Sequence, residues 1–233
     1  MWIEAPILER VVKRDRAVVF VGLGVVSGAA WLYIFAGAGT PSMMDVAAEW
    51  SPAYFTLMLV MWWVMMVAMM LPSAAPMVLL FATVNRNARA KGQAYVPTGI
   101  FVAGYLAAWG GFSFVATALQ WGLEGMALVT PMMKVSSAYF GGALLIGAGI
   151  YQLTPLKQAC LRHCRSPLDF LMHHWRRGPL GAFRMGLGHG LFCLGCCWVL
   201  MALLFYGGVM NLWWIAGLAL YVMIEKFAPF GYR

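Results

Sequence analysis

Four side chains of the kind that bind soft metals lie close together in an otherwise apolar stretch. The stretch GHGLFCLGCCWVLM, residues 188–201, holds one imidazole and three thiols: His189, Cys193, Cys196 and Cys197. On an α-helix these four fall within an arc of roughly 100°. We predict that this face binds a metal ion whose coordination neighbouring helices complete. The alternative is that the cysteines pack as small apolar residues and His189 bonds a backbone carbonyl.

A second set of soft donors lies in MWWVMMVAMMLPSAAPM, residues 61–77. Thioether and thiolate are the donors that select Cu(I), although a methionine stripe is also ordinary core packing. With a hydrocarbon core about 30 Å thick, these methionines and Cys196 fall at similar depth. Pro72 and Pro76 are expected to interrupt the helix beyond them. The candidate ligands are Met61, Met65, Met66 and Met69.

A third group lies on the connector 154–184. Cys160 and Cys164 are one helical turn apart and His163 lies beside them, so they are candidates for a second, cytoplasmic metal site. His173 or His174 would complete a four-ligand zinc site. The alternative is a pair of reduced thiols near a basic surface.

Glu225 is the only acidic residue in the last five apolar runs of the sequence. Antiparallel pairing of the last two runs places it level with His189. A carboxylate there would fix the tautomer of a metal-bound histidine from behind. The alternative is a carboxylate that reaches cytoplasmic water beside Lys226.

The composition predicts the class of protein to which these residues belong. Hydrophobic residues make up 63% of the chain and charged residues 10%, and the mean hydropathy is +0.78, which is far outside the range of soluble domains. Backbone groups in lipid must be satisfied within helices. We therefore predict an all-α integral membrane protein with six transmembrane helices, forming one polytopic domain over residues 1–233. The runs are 17–35, 54–80, 96–120, 138–153, 185–206 and 212–227.

The basic residues predict the orientation of the chain. With six spans, fifteen of the 16 Lys and Arg residues fall on one side of the membrane and Lys134 alone on the other. Such residues concentrate in cytoplasmic loops. Both termini and the connector 154–184 are thus expected in the cytoplasm of a bacterial inner membrane, with short helices of the connector at headgroup level. The net charge of +8 is a topology signal rather than a sign of nucleic-acid binding.

Three blocks carry a resemblance to a known family: MVAMMLPSAAPM, YQLTPLKQACLRHCRSP and GHGLFCLGCCWVLMALLFYGGVMNLWW. Together they resemble a bacterial family of predicted metal-binding integral membrane proteins, which is classified as a domain of unknown function. The resemblance implies metal binding without an assigned activity. It places in motif positions Met65, Met69, Met70, Cys160, His163, Cys164, Cys193, Cys196, Cys197, Met201 and Glu225.

The sequence therefore predicts a membrane protein that binds a soft transition metal for metal handling or delivery. Copper is the expected metal, with zinc or iron as alternatives. The expected partners are the lipid bilayer, the metal ion, and either a second copy of the chain or a partner metalloprotein. A membrane copper oxidase or oxygenase is an alternative. A haem protein is a further one, although His189 is its only intramembrane histidine and Met or Cys would supply the other axial ligand.

Overall fold

The computed structural model describes residues 4–37, 50–90, 92, 96–130 and 133–228. The regular structure in these ranges is helical, with one isolated β-bridge between Val129 and Val135. This confirms the predicted all-α class. In chain order the helices are α1 (Glu4–Gly37), α2 (Pro52–Ala90), α3 (Thr98–Gly125), α4 (Ala138–Gln152), α5 (Pro155–Arg165), α6 (Pro167–His174), α7 (Gly178–Ala202), α8 (Leu204–Gly207) and α9 (Leu212–Phe227).

Four helical segments of the described chain are long and apolar enough to cross a membrane. They are Ala17–Gly37, Pro52–Ala88, Thr98–Gly125 and Gly178–Gly207. Helices α4 and α9 have 15 and 16 residues. Their lengths are about 22 and 24 Å, shorter than the roughly 30 Å of a hydrocarbon core. The arrangement with six spans therefore stays a prediction.

Proline sets where the short helices of the connector begin. Helices α5, α6 and α7 each have proline within their first two positions, where the missing N–H has no intrahelical partner to lose. At the start of α5, Thr154 Oγ1 accepts a hydrogen bond from the Lys157 N–H at 3.3 Å. The connector 154–184 thus contains the short helices that the sequence predicted.

The predicted interruption of α2 at Pro72 and Pro76 is wrong, because α2 is continuous from Pro52 to Ala90. Pro72 has no N–H to donate to the Ala68 carbonyl, and Ser27 Oγ donates to that carbonyl instead at 3.3 Å. A side chain of α1 therefore satisfies the carbonyl that Pro72 leaves without its helical partner, and the helix continues.

Glycines bring α7 into direct backbone contact with α3. A Cβ atom on Gly186 would lie 1.9 Å from the Phe101 carbonyl oxygen, and one on Gly104 would lie 2.1 Å from the Phe183 carbonyl oxygen. Small residues at helix contacts are typical of membrane bundles. This contact fixes the rotation of α7 about its axis and so decides which residues of α7 point inward.

Candidate metal centre

Helix α7 directs its chemistry-bearing residues into the protein interior. His189, Cys193, Cys196 and Cys197 are all buried. The aromatic rings of Tyr105 and Phe170 lie near the His189 ring, with centroid distances of 5.8 and 5.5 Å. The four residues that the sequence placed on one helix face thus share the interior side of α7.

Helix α5 packs against α7 and brings the cysteines of the two helices together, although the sequence predicted them as two separate sites. The Sγ atoms of Cys164 and Cys196 lie 4.0 Å apart. A Cβ atom on Gly195 would lie 2.7 Å from Cys160 Sγ, so the absence of a side chain at Gly195 gives Cys160 its place. The two candidate groups are therefore neighbours in space, and metal binding by either of them stays a prediction. We call the five free cysteines the cysteine cluster: Cys160, Cys164, Cys193, Cys196 and Cys197.

The buried sulphurs of the cysteine cluster have two kinds of hydrogen-bond partner. Cys196 Sγ and Cys197 Sγ each donate to the carbonyl oxygen of Cys193, at 3.0 and 2.9 Å. Cys193 Sγ instead accepts from Lys226 Nζ at 2.9 Å and contacts the Tyr105 hydroxyl at 3.2 Å. The geometry therefore suits thiols at Cys196 and Cys197 and a thiolate at Cys193.

The two cysteines of α5 are half-buried, whereas those of α7 are buried. Hydrogen bonding with Cys193 and Cys196 raises the pKa of the Cys164 thiol well above its ordinary value, and burial raises it further. Burial also raises the pKa of Cys160, and the neighbouring Cys196 adds to that effect. Metal binding at Cys164 must therefore release a proton.

One methionine of α2 reaches the cysteine cluster. Met70 Sδ lies 4.0 Å from Cys197 Sγ. The four methionines predicted as ligands are buried in the core, and two of them, Met61 and Met65, line a small cavity together with Met210. Met70 stood in a motif position by resemblance but was outside the predicted ligand set, and nothing in the stripe itself distinguished it.

The predicted hydrogen bond between His189 and Glu225 is absent. The Glu225 carboxylate pairs with the Lys157 ammonium, whose side chain is 1% exposed. Arg165 Nε donates to the Glu225 backbone carbonyl at 2.9 Å. His189 Nδ1 is buried and has no hydrogen-bond partner among the described residues. The next residue, Lys226, faces α7 instead, because neighbouring helical residues point about 100° apart.

The histidines of the connector turn toward their own helices. The Nδ1 atoms of His163, His173 and His174 bond the carbonyl oxygens four residues earlier. The His163 ring also stacks on Phe192 with centroids 4.1 Å apart. Across the described ranges, no three His, Cys, Asp or Glu side chains converge to hold one ion. The structure thus offers pairs of soft donors rather than a closed four-ligand zinc site.

A family model described as PpoB2, copper chaperone, matches residues 59–233. The matched region contains α5, α7, α9 and every residue of the cysteine cluster. No curated protein and no solved structure matches the chain. The match confirms the expected metal-binding family. Because it covers well over half of the sequence, the chain belongs to this family of copper chaperones.

Proposed function

We propose that this protein is a membrane-embedded carrier that holds Cu(I) between thiolates of α5 and α7 and delivers it to a partner protein. The observation that carries the proposal is the approach of Cys164 and Cys196 from two helices, with their Sγ atoms 4.0 Å apart. Two sulphurs bound to one ion at about 2.3 Å lie roughly 3.8 Å apart at a tetrahedral angle and roughly 4.6 Å apart in a line. The observed separation falls in this range.

The donor set favours copper over zinc. A structural zinc site takes four ligands, whereas the described residues contain no group of three or more His, Cys, Asp or Glu side chains placed to hold one ion. A second soft pair, Cys197 and Met70, adjoins the first. Thiolates and thioethers together are the donors that select Cu(I).

The exposure of the cysteines supports delivery rather than permanent storage. Cys160 and Cys164 are half-buried on the short helix α5, and Cys196 behind them is buried. Thiols that lead from the surface to the interior allow an ion to pass between donors without becoming free. Copper would therefore enter and leave at the α5 side, where a partner metalloprotein exchanges it.

The experiment that tests copper binding is a competition titration of detergent-purified, reduced protein with Cu(I) and a chromophoric chelator. We expect one tightly bound copper ion per chain. Cys164→Ser combined with Cys196→Ser should abolish tight binding, because it removes both thiolates of the pair. Cys160→Ser is the matched control on the same helix and should bind as the parent does. Unchanged binding in the double variant would overturn the proposal.

We also propose that the protein crosses the bacterial inner membrane with both termini and the connector 154–184 in the cytoplasm. The fifteen-to-one distribution of Lys and Arg supports this orientation. The outward-facing apolar side chains of α1, among them Val18, Phe20 and Leu32, suit contact with lipid.

Reporter fusions at Lys91, Lys134 and Arg233 test the orientation; Lys91 and Arg233 lie outside the described residues. We expect periplasmic signal at Lys134 alone. Cytoplasmic signal at Lys134, or periplasmic signal at Arg233, would contradict six spans.

A further inference from the structure

Two cavities adjoin where the end of α2 meets the connector 154–184. The first has a volume of about 310 Å³ and lies between α2, the residues before α3 and the turn from α6 to α7. The second has a volume of about 340 Å³ and lies between α2 and α6. Ala88 and Trp175 line both, so the two cavities are neighbours. Their volumes suit small ligands, whose pockets measure roughly 300–1,000 Å³.

The two cavities differ in chemistry. Arg176, Arg177 and the side chain of Asn85 line the first, and no Asp or Glu of the described residues does so. The second is lined mainly by apolar side chains: Val84, Leu168, Leu171 and Met172. Leu168 and Met172 are 61% and 72% exposed, so this apolar surface faces the surroundings of the protein. We call the first the charged cavity and the second the apolar cavity.

Contacts to neighbouring elements hold the walls of the charged cavity in place. Asn85 Nδ2 donates to the Val96 carbonyl and so ties the end of α2 to the residues before α3. The Arg176 N–H donates to Met185 Sδ at 3.3 Å. A Cβ atom on Gly181 would lie 2.9 Å from the Arg176 carbonyl oxygen, so the turn packs directly on the first turns of α7. The backbone that carries Arg176 is therefore fixed against α7.

We propose that the two cavities form a binding site for an anionic phospholipid, whose headgroup phosphate binds Arg176 and Arg177 and whose acyl chain packs in the apolar cavity. Charge complementarity favours this occupant, because basic pockets between helices on the cytoplasmic side bind anionic headgroups. Trp175, which borders both cavities, is a residue type enriched at headgroup depth. A free phosphate ion would leave the apolar cavity unfilled. The inference rests on the proposed cytoplasmic side of the connector and does not involve Cys164 or Cys196, which line neither cavity.

The test is native mass spectrometry of the delipidated full-length protein in detergent, titrated with phosphatidylglycerol and with phosphatidylcholine of equal chain length. We expect one tightly bound phosphatidylglycerol per chain and about tenfold weaker binding of the zwitterionic lipid. Arg176→Gln with Arg177→Gln should lower the affinity for phosphatidylglycerol by about tenfold or more, since each arginine near an anionic headgroup contributes about fivefold. Arg162→Gln with Arg184→Gln removes two exposed charges from the same connector and is the matched control, with affinity within about twofold of the parent. Should the first variant fail to fold, Arg177→Glu alone reverses one charge and should give a similar loss.

Two further measurements assign each cavity its part of the lipid. Leu168→Gln with Met172→Gln places polar groups where the acyl chain packs and should weaken phosphatidylglycerol binding by about tenfold. Glycerol phosphate carries the anionic group without acyl chains and should bind at least about 100-fold more weakly, since each buried CH₂ contributes about fourfold.

Comparable binding of glycerol phosphate and phosphatidylglycerol would assign the site to a free phosphate anion and overturn the lipid. Equal affinity for the two lipids, or unchanged affinity in a folded arginine variant, would overturn the proposal as well. Because the variants leave the cysteine cluster untouched, Cu(I) binding should stay at the parent's value in all of them, and the copper site stands or falls separately.

Discussion

The cysteine cluster and the methionine stripe of α2 (Met58, Met61, Met65, Met66 and Met69) contain similar sulphur chemistry in different settings. The stripe belongs to one helix and is buried in the apolar core. The cysteine cluster combines α5 and α7 and receives hydrogen bonds or contacts from Tyr105 of α3 and Lys226 of α9. Gln120 Nε2 of α3 donates to Met58 Sδ at 3.8 Å, and the other methionines of the stripe pack in the apolar core. Polar partners from several helices indicate a site in which the protonation state of the sulphur matters.

The largest effect should follow from disturbing the helix contact that orients the cysteine cluster. In Gly186→Ala the new methyl group would lie 1.9 Å from the Phe101 carbonyl oxygen, and backbone atoms cannot yield without separating α3 from α7. We expect the free energy of unfolding to fall by more than about 3 kcal/mol. Thermal unfolding in detergent measures it.

Gly188→Ala is the matched control for that substitution. Its nearest neighbour outside the helix backbone, Phe170 Cζ, would be 3.9 Å from the new methyl group. The melting temperature should be equal or higher, because alanine favours helix over glycine by up to about 1 kcal/mol. Similar melting of both variants would contradict the close approach of α3 and α7.

Glu225→Gln separates a structural role from a role in metal binding. The substitution leaves the buried Lys157 ammonium without its counter-charge and should cost roughly 3 kcal/mol of stability. Affinity for Cu(I) should stay within about threefold, whereas a carboxylate behind a metal-bound histidine would change it by about 10- to 100-fold. Chemical unfolding measures the stability, and copper titration of the same preparation measures the affinity for Cu(I).

Asp169→Asn provides the control for an exposed pair. Asp169 lies 3.2 Å from His173 Nδ1, and both side chains are exposed. Its loss should change stability by less than about 1 kcal/mol. A tenfold loss of copper affinity in Glu225→Gln would contradict a purely structural role for the ion pair between Glu225 and Lys157.

Exchanging the sulphurs of the two regions tests the comparison itself. Cys196→Ser with Cys197→Ser should lower Cu(I) affinity by at least about 100-fold. Removing a thiolate that binds the metal costs more affinity than removing a hydrogen-bond partner of a ligand, for which losses of about 10- to 100-fold are typical. Met61→Leu with Met65→Leu should leave affinity within about threefold and cost less than about 1.5 kcal/mol per site, because the volumes are similar. Comparable losses of affinity in both double variants would show that the stripe also binds copper.

The smallest effect should come from the methionine at the boundary of the two regions. Met70 Sδ lies 4.0 Å from Cys197 Sγ, so Met70→Leu should weaken Cu(I) binding by about tenfold. Met69→Leu alters the adjacent buried methionine and should leave the affinity unchanged. Equal affinities for the two variants would place Met70 with the packing residues.

The sequence predicted the helical class and the shared face of α7 because both follow from local patterns. The apolar runs mark helices, and the spacing from His189 to Cys197 defines an arc on one of them. The same reasoning separated Cys164 from Cys196, because their contact depends on how α5 folds back over α7 across 32 residues. The local hydrophobic periodicity of the sequence does not predict this packing of α5 against α7.

The error at Glu225 has a different physical cause. The sequence predicted the correct turn of α9 but assigned the side chain that faces α7 to Glu225 instead of the adjacent Lys226. Neighbouring residues of a helix point about 100° apart, so a shift of one residue changes which side chain faces α7. In the sequence, Lys226 is a basic residue at the end of an apolar run, which is common at membrane surfaces. Its hydrogen bonds to Cys193 and Ser73 became visible only when α2, α7 and α9 were placed together.

The most direct test of the central claim is an X-ray absorption spectrum at the copper edge of the Cu(I)-loaded protein in detergent. We predict a first coordination shell made of sulphur alone, with a bond length near the roughly 2.3 Å typical of metal–thiolate bonds. In Cys164→Ser with Cys196→Ser that sulphur shell should be lost. A shell of nitrogen or oxygen in the parent protein, or an unchanged sulphur shell in the double variant, would contradict copper binding by the cysteine cluster.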